Sequence, residues 1–124
     1  MGDFKSHVAL AVEKAKVAKE AYAKGYYSVM AGLAYKACEQ AVQAELARIG
    51  ATGIHYREHS EVRGWVRRHY PREMADRFED LYGLYIDVGY SGRTPIGVPE
   101  RAFNHMKAIL SFIGRRLNVN FEDE

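Results

Sequence analysis

Arginine is the side chain most concentrated in this sequence where it could act chemically. Between residues 57 and 77 stand Arg57, Arg63, Arg67, Arg68, Arg72 and Arg77, set against Glu58, Glu61, Glu73 and Asp76. A guanidinium is permanently charged and matches the geometry of phosphate and carboxylate oxygens, so this mild basic patch points toward anion binding. His55 and His59 stand four apart, a spacing that on a helix would turn two imidazoles toward one metal ion. No glutamate follows His55, and the segment Gly50–Ser60 (GATGIHYREHS) has the glycines and irregular pattern of a loop. Packing within that loop is therefore the expectation, and no metal or other cofactor is predicted. Cys38 is the single cysteine; it excludes an intrachain disulfide and a cysteine zinc site and reads as a buried, inert thiol. No Gly-rich phosphate loop with a preceding strand occurs.

The elements that must position these groups are helical. From Asp3 to Lys24, Phe4, Val8, Ala11, Val12, Ala15, Ala18 and Tyr22 recur at spacings of three and four, one stripe of a helix. Gly25 interrupts, and Tyr26 to Ile49 reads as a second helix with Tyr26, Met30, Leu33, Ala37, Ala41 and Ala44 on one side, stopped by Gly50. The abundant alanines raise helix propensity and permit close approach, so the two are expected to form an antiparallel hairpin. A short third helix follows Ser60, with Val62, Trp65, Val66 and His69 inward, and Pro71 ends it. Met74, Phe78, Leu81 and Tyr85 mark a fourth helix from Glu73 to about Val88; Gly89 to Pro99 is the longest loop. Pro99 suits the first turn of a fifth helix, whose inward face is Ala102, Met106, Ile109, Ile113 and Leu117. Residues 1–120 are expected to form a single all-α bundle of four or five helices, and residues 121–124 a frayed acidic tail.

Composition bounds the rest. With 124 residues, 48% hydrophobic and 27% charged, the chain is long enough for one core and too apolar for disorder. A net charge of +2 is too small to mark a nucleic-acid binder by field alone. No apolar run reaches the ~18 residues of a membrane span, and the charged opening MGDFKSHVALAVEKAK lacks a leader's apolar stretch. The expected location is the cytoplasm. Nine tyrosines are many, and Tyr22, Tyr26, Tyr27 and Tyr35 crowd the first hairpin, as subunit-seam or as core residues.

The order of these parts resembles the HEPN family (higher eukaryotes and prokaryotes nucleotide-binding) over about residues 5–117. The likeness is carried by the tyrosine-rich start of the second helix, its Cys38-Glu39-Gln40-Ala41 run in place of the family's small-residue-Glu-Lys-Ala, the stop at Gly50, the stretch DLYGLYIDVGYSG and the final PERAFNHMKAILSFIGRRL. The resemblance implies an up-and-down bundle, a homodimer, and a minimal nucleotidyltransferase encoded alongside as the partner of a toxin–antitoxin pair. Several branches of the family are metal-independent ribonucleases carrying an arginine, four to six residues, then a histidine. Arg63 and His69 have five residues between them and match that form, although Gly64 replaces the usual polar residue and the pair lies early in the chain. In that reading Arg63 stabilises the scissile phosphate and His69 moves the 2′-hydroxyl proton; otherwise Arg63 is solvated and His69 only ends a helix. Tyr85, Asp87, Tyr90 and Arg93 echo a family arginine–tyrosine cluster and, with Arg67 and Arg68 of the basic patch, are the expected nucleotide or RNA contacts; the bland alternative makes Tyr85 core and Asp87 solvated. Three functions follow: a homodimeric binding module, a ribonuclease toxin, and a structural helical protein without activity.

Overall fold

The computed structural model describes residues 3–49, 59–91 and 94–122. Five helices account for nearly all of them: α1 (Phe4–Lys24), α2 (Tyr27–Arg48), α3 (His59–His69), α4 (Arg72–Ser91) and α5 (Val98–Leu117), with no strand among the described residues. The fold is an all-α bundle.

Local chemistry sets the helix ends. The Asp3 carboxylate accepts the Ser6 N–H at 2.7 Å, capping α1. Gly25 closes α1 at φ 79°, a left-handed angle that glycine adopts without steric cost, and the Tyr26 N–H then reaches back to the Ala21 carbonyl at 2.8 Å. The chain reverses there, and α1 lays Ala11, Ala15, Ala18 and Ala21 against α2. Pro71 separates α3 from α4, its carbonyl accepting the Ala75 N–H at 2.9 Å.

The centre is α2. It packs on α1, α3, α4 and α5, and the six residues Ala41–Leu46 are all buried. A one-sided stripe does not describe it: Ala31, Ala34, Tyr35 and Cys38 are buried alongside Met30, Ala37 and Ala41, while Tyr26, expected inside, is 60% exposed. Of the expected stripe Met30, Ala37, Ala41 and Ala44 are buried and Leu33 half-buried; burial is wider than one stripe because α2 has neighbours on most of its sides and keeps only a few exposed positions, among them Val29 and Lys36. On the other side of α2, Tyr35 stacks on Tyr85 (5.2 Å, 8°) and meets Phe78 and Tyr82 edge-on at 5.3 and 5.2 Å. Gly32 lies beside Tyr85 while Glu45, farther along α2, bonds Tyr70 just before α4, so α4 runs antiparallel to α2; Arg77 meets His105 while Asp80 meets Arg101, so α5 runs antiparallel to α4. The inward face predicted for α5 is buried at every named position.

Three further expectations change. His69 is exposed rather than inward. The helix α4 continues to Ser91, so Gly89 and Tyr90 extend it and shorten the predicted loop. The tail is not wholly frayed: Asn118 turns left-handed (φ 57°), Phe121 returns into the core at 2% exposure, and Glu122 lies 3.7 Å from Lys19. Burying an apolar ring beside Gly114 of α5 outweighs the entropy of a free end.

Candidate functional site

The helical hairpin α3–α4 is tied by arginines. Arg63 directs its Nε toward the Glu79 carboxylate (3.3 and 3.4 Å) and sets its guanidinium 4.1 Å from the centre of the Tyr82 ring. Arg67 donates to Asp76 at 2.9 Å. Arg68 is exposed. His69 donates its Nδ1–H to the Trp65 carbonyl at 2.9 Å and stacks on the Trp65 ring at 4.5 Å. The partners of Arg63 lie on α4 and those of His69 on its own helix, because six residues of an α-helix turn the two side chains well apart. The spacing predicted from sequence does not bring them onto one shared group.

The second predicted cluster is divided as well. Tyr85 is buried in the Tyr35 stack, with Lys36 Nζ 5.9 Å from its ring centre, whereas its neighbour Asp87 is exposed. Arg93, His55 and Arg57 lie outside the described residues, as do the side chains of His59 and Tyr90. Cys38 is buried, and burial pushes its thiol well above the ordinary value, so it is held protonated and unreactive.

A constellation not singled out in the sequence lies between α4 and α5. An open groove of about 650 Å³ is lined by Arg72, Glu73, Asp76, Arg77, Asp80 and His105. Asp80, one of the lining residues, is held by two side chains of α5. Arg101 grips its two carboxylate oxygens (3.0 and 3.2 Å), and the His105 Nε2–H donates to it at 2.6 Å. Burial raises the Asp80 carboxyl, but the hydrogen bonds from Arg101 and His105 outweigh burial and hold it below the ordinary carboxylate value. The other ring nitrogen, His105 Nδ1, faces Arg77 Nη1 at 3.3 Å. A guanidinium only donates, so Nδ1 is the accepting, unprotonated atom and the ring is the neutral Nε2–H tautomer.

The signal for this groove is present in the sequence: Arg101 and His105 have three residues between them, and i,i+4 places them on one face of α5. Glu73, Asp76, Arg77 and Asp80 form the facing charged stripe of α4. Among the described residues no group of three or more His, Cys, Asp or Glu side chains could hold a metal ion.

Compared with protein-family models, curated proteins and solved structures, the chain matches none. What the site can do is read from its own chemistry. Arg72, Arg77 and Arg101 supply fixed positive charge and bidentate donors, Asp80 fixes the histidine ring, and His105 offers one nitrogen with a lone pair that can accept a proton.

Proposed function

We propose that the chain is a HEPN-like helical module that works as a homodimer with a separate minimal nucleotidyltransferase and binds a phosphate-bearing ligand, an RNA or a nucleotide, between α4 and α5. The observation that supports the ligand is the convergence of Arg77, Arg101 and His105 about Asp80 in one open groove. The exposed apolar side chains Tyr26 just before α2, Val29 on α2 and Ile86 on the neighbouring α4 support the dimer, since such groups gain from being covered. Equilibrium binding of a labelled RNA oligonucleotide tests the ligand: Arg77→Ala and Arg101→Ala should each weaken it and flatten its salt dependence. Equal affinity in all three proteins would sink the groove assignment. Light scattering tests the dimer, and co-purification tests a nucleotidyltransferase encoded beside this chain.

A second reading, a metal-independent ribonuclease, is favoured by the Asp80–His105 pair. A carboxylate on one nitrogen orients the ring so that the other faces the ligand. In this reading the 2′-hydroxyl oxygen attacks phosphorus, its proton passes to His105 Nδ1, and the 5′-oxygen leaves with a proton from water. The products are a 2′,3′-cyclic phosphate and a 5′-hydroxyl. RNA cleavage in EDTA by the wild type, lost in His105→Ala, is the expected result; no cleavage leaves the binding module alone.

A further inference from the structure

We infer that Arg77 masks the proton-accepting nitrogen of His105 in the free protein and that a bound oxyanion removes the mask. This rests on the reading of the α4–α5 groove as a phosphate site, and it names how that site is regulated.

Three observations carry it. The His105 ring has one nitrogen committed to Asp80 at 2.6 Å, so Nδ1 holds its only basic lone pair, and Arg77 Nη1 donates to that lone pair at 3.3 Å. Arg77 is itself poorly satisfied: among the described residues its buried Nε has no hydrogen-bond partner, and its ion-pair contact with the Glu73 carboxylate is 3.8 Å long. That separation is too long for a hydrogen bond. Finally, the groove beside Arg77 is large enough for a phosphate group.

The competition has a clear direction. A guanidinium donating one long bond to a neutral imidazole, with a second N–H unmet, gains more from two short charge-assisted bonds to an oxyanion. Turning Arg77 onto a phosphate satisfies Nε and Nη together and leaves Nδ1 bare. The same movement therefore captures the anion and exposes the base. Around the ring stand Asp80, Arg77, Glu73, Asp76 and Arg72 of α4 and Arg101 of α5; of these, Arg77 is the group set against Nδ1.

The test is long-range ¹H–¹⁵N NMR of the histidine ring nitrogens in the whole protein, with inorganic phosphate as the probe. In the free wild type, Nε2 should carry the proton and Nδ1 should show the shift of a hydrogen-bonded acceptor. Phosphate should move Nδ1 away from that position. In Arg77→Met, Nδ1 should already be displaced without phosphate, while Arg77→Lys, which keeps the charge and loses the fork, tests the mask should the first variant fold poorly. An Nδ1 resonance unmoved by phosphate while backbone amides of α4 and α5 do move, or unmoved in a folded Arg77 variant, would overturn the mask. No response to phosphate anywhere in α4 or α5 would instead overturn the phosphate-site reading, and the Arg77 variants would then decide the mask by themselves.

Discussion

His105 Nε2 lies 2.6 Å from Asp80 Oδ2, joining α5 to α4 beside an open groove that the two residues line together with Arg72, Arg77, Glu73 and Asp76. The pair fixes both the tautomer of the ring and the direction of its second nitrogen. If the groove acts on RNA, His105→Ala and Asp80→Asn should each remove cleavage in EDTA, the first by about a hundredfold or more, the scale of a lost acid–base group. His69→Ala, which disturbs only an exposed ring on Trp65, should leave it unchanged. The reverse pattern would return the site to α3.

Acid should loosen the α4–α5 contact. A carboxyl whose folded value lies below its unfolded one stabilises the fold above the ordinary carboxylate range, about pH 4, and that contribution is lost as pH falls through the folded value. Asp80 is such a group. Thermal melts at about pH 6 and below about pH 3 should therefore differ less in Asp80→Asn than in the wild type. An equal difference in the two proteins would place the acid sensitivity elsewhere.

Glu45 is buried in α2, and its carboxylate accepts from Tyr70 Oη at 2.7 Å and from Arg116 Nε at 3.0 Å. Burial, then the Glu45 charge and hydrogen bond, push the Tyr70 phenol well above its ordinary value, so it remains a neutral donor. Glu45→Ala should cost about 2–3 kcal/mol, because it strands a buried hydroxyl and frees one arginine. Glu45→Gln, which retains an acceptor for Tyr70, should cost clearly less. Urea unfolding of the three proteins separates these values.

Two glycines should respond in opposite ways to alanine. A Cβ on Gly114 would lie 2.5 Å from the carbonyl oxygen of Val119, where the tail turns back to bury Phe121, so Gly114→Ala should destabilise by about 1–3 kcal/mol. At Gly83, on the middle of α4, nothing lies within 4 Å of the added atom. There the substitution should stabilise by up to about 1 kcal/mol, the helix-propensity gain of alanine over glycine. A melting temperature that rises at Gly114 or falls at Gly83 contradicts the packing described.

What the sequence determined by itself was the set of helices and, for most of them, the face turned inward. Ala102, Met106, Ile109, Ile113 and Leu117 could be placed because burial on one side of a helix leaves a period in the residue types. Gly25 marked a boundary because glycine reaches the left-handed angle that closes a helix, and Pro71 because its ring fixes φ and removes a backbone donor. The wide burial of α2 was not legible, since a helix with neighbours on most of its sides has a weak period to read. Nor was the return of Phe121, which depends on the left-handed turn at Asn118 and on the room beside Gly114.

The candidate site divides along the same line. Arginine and histidine abundance pointed to anion chemistry, but Arg63 and His69 were joined by spacing along one helix, and the fold turns them to different partners. Asp80 and His105 stand 25 residues apart, and only the antiparallel packing of α4 on α5 brings them together. A hydrogen bond within a helix leaves its signature at a spacing of three or four; one between helices depends on register and rotation, which tertiary packing alone decides.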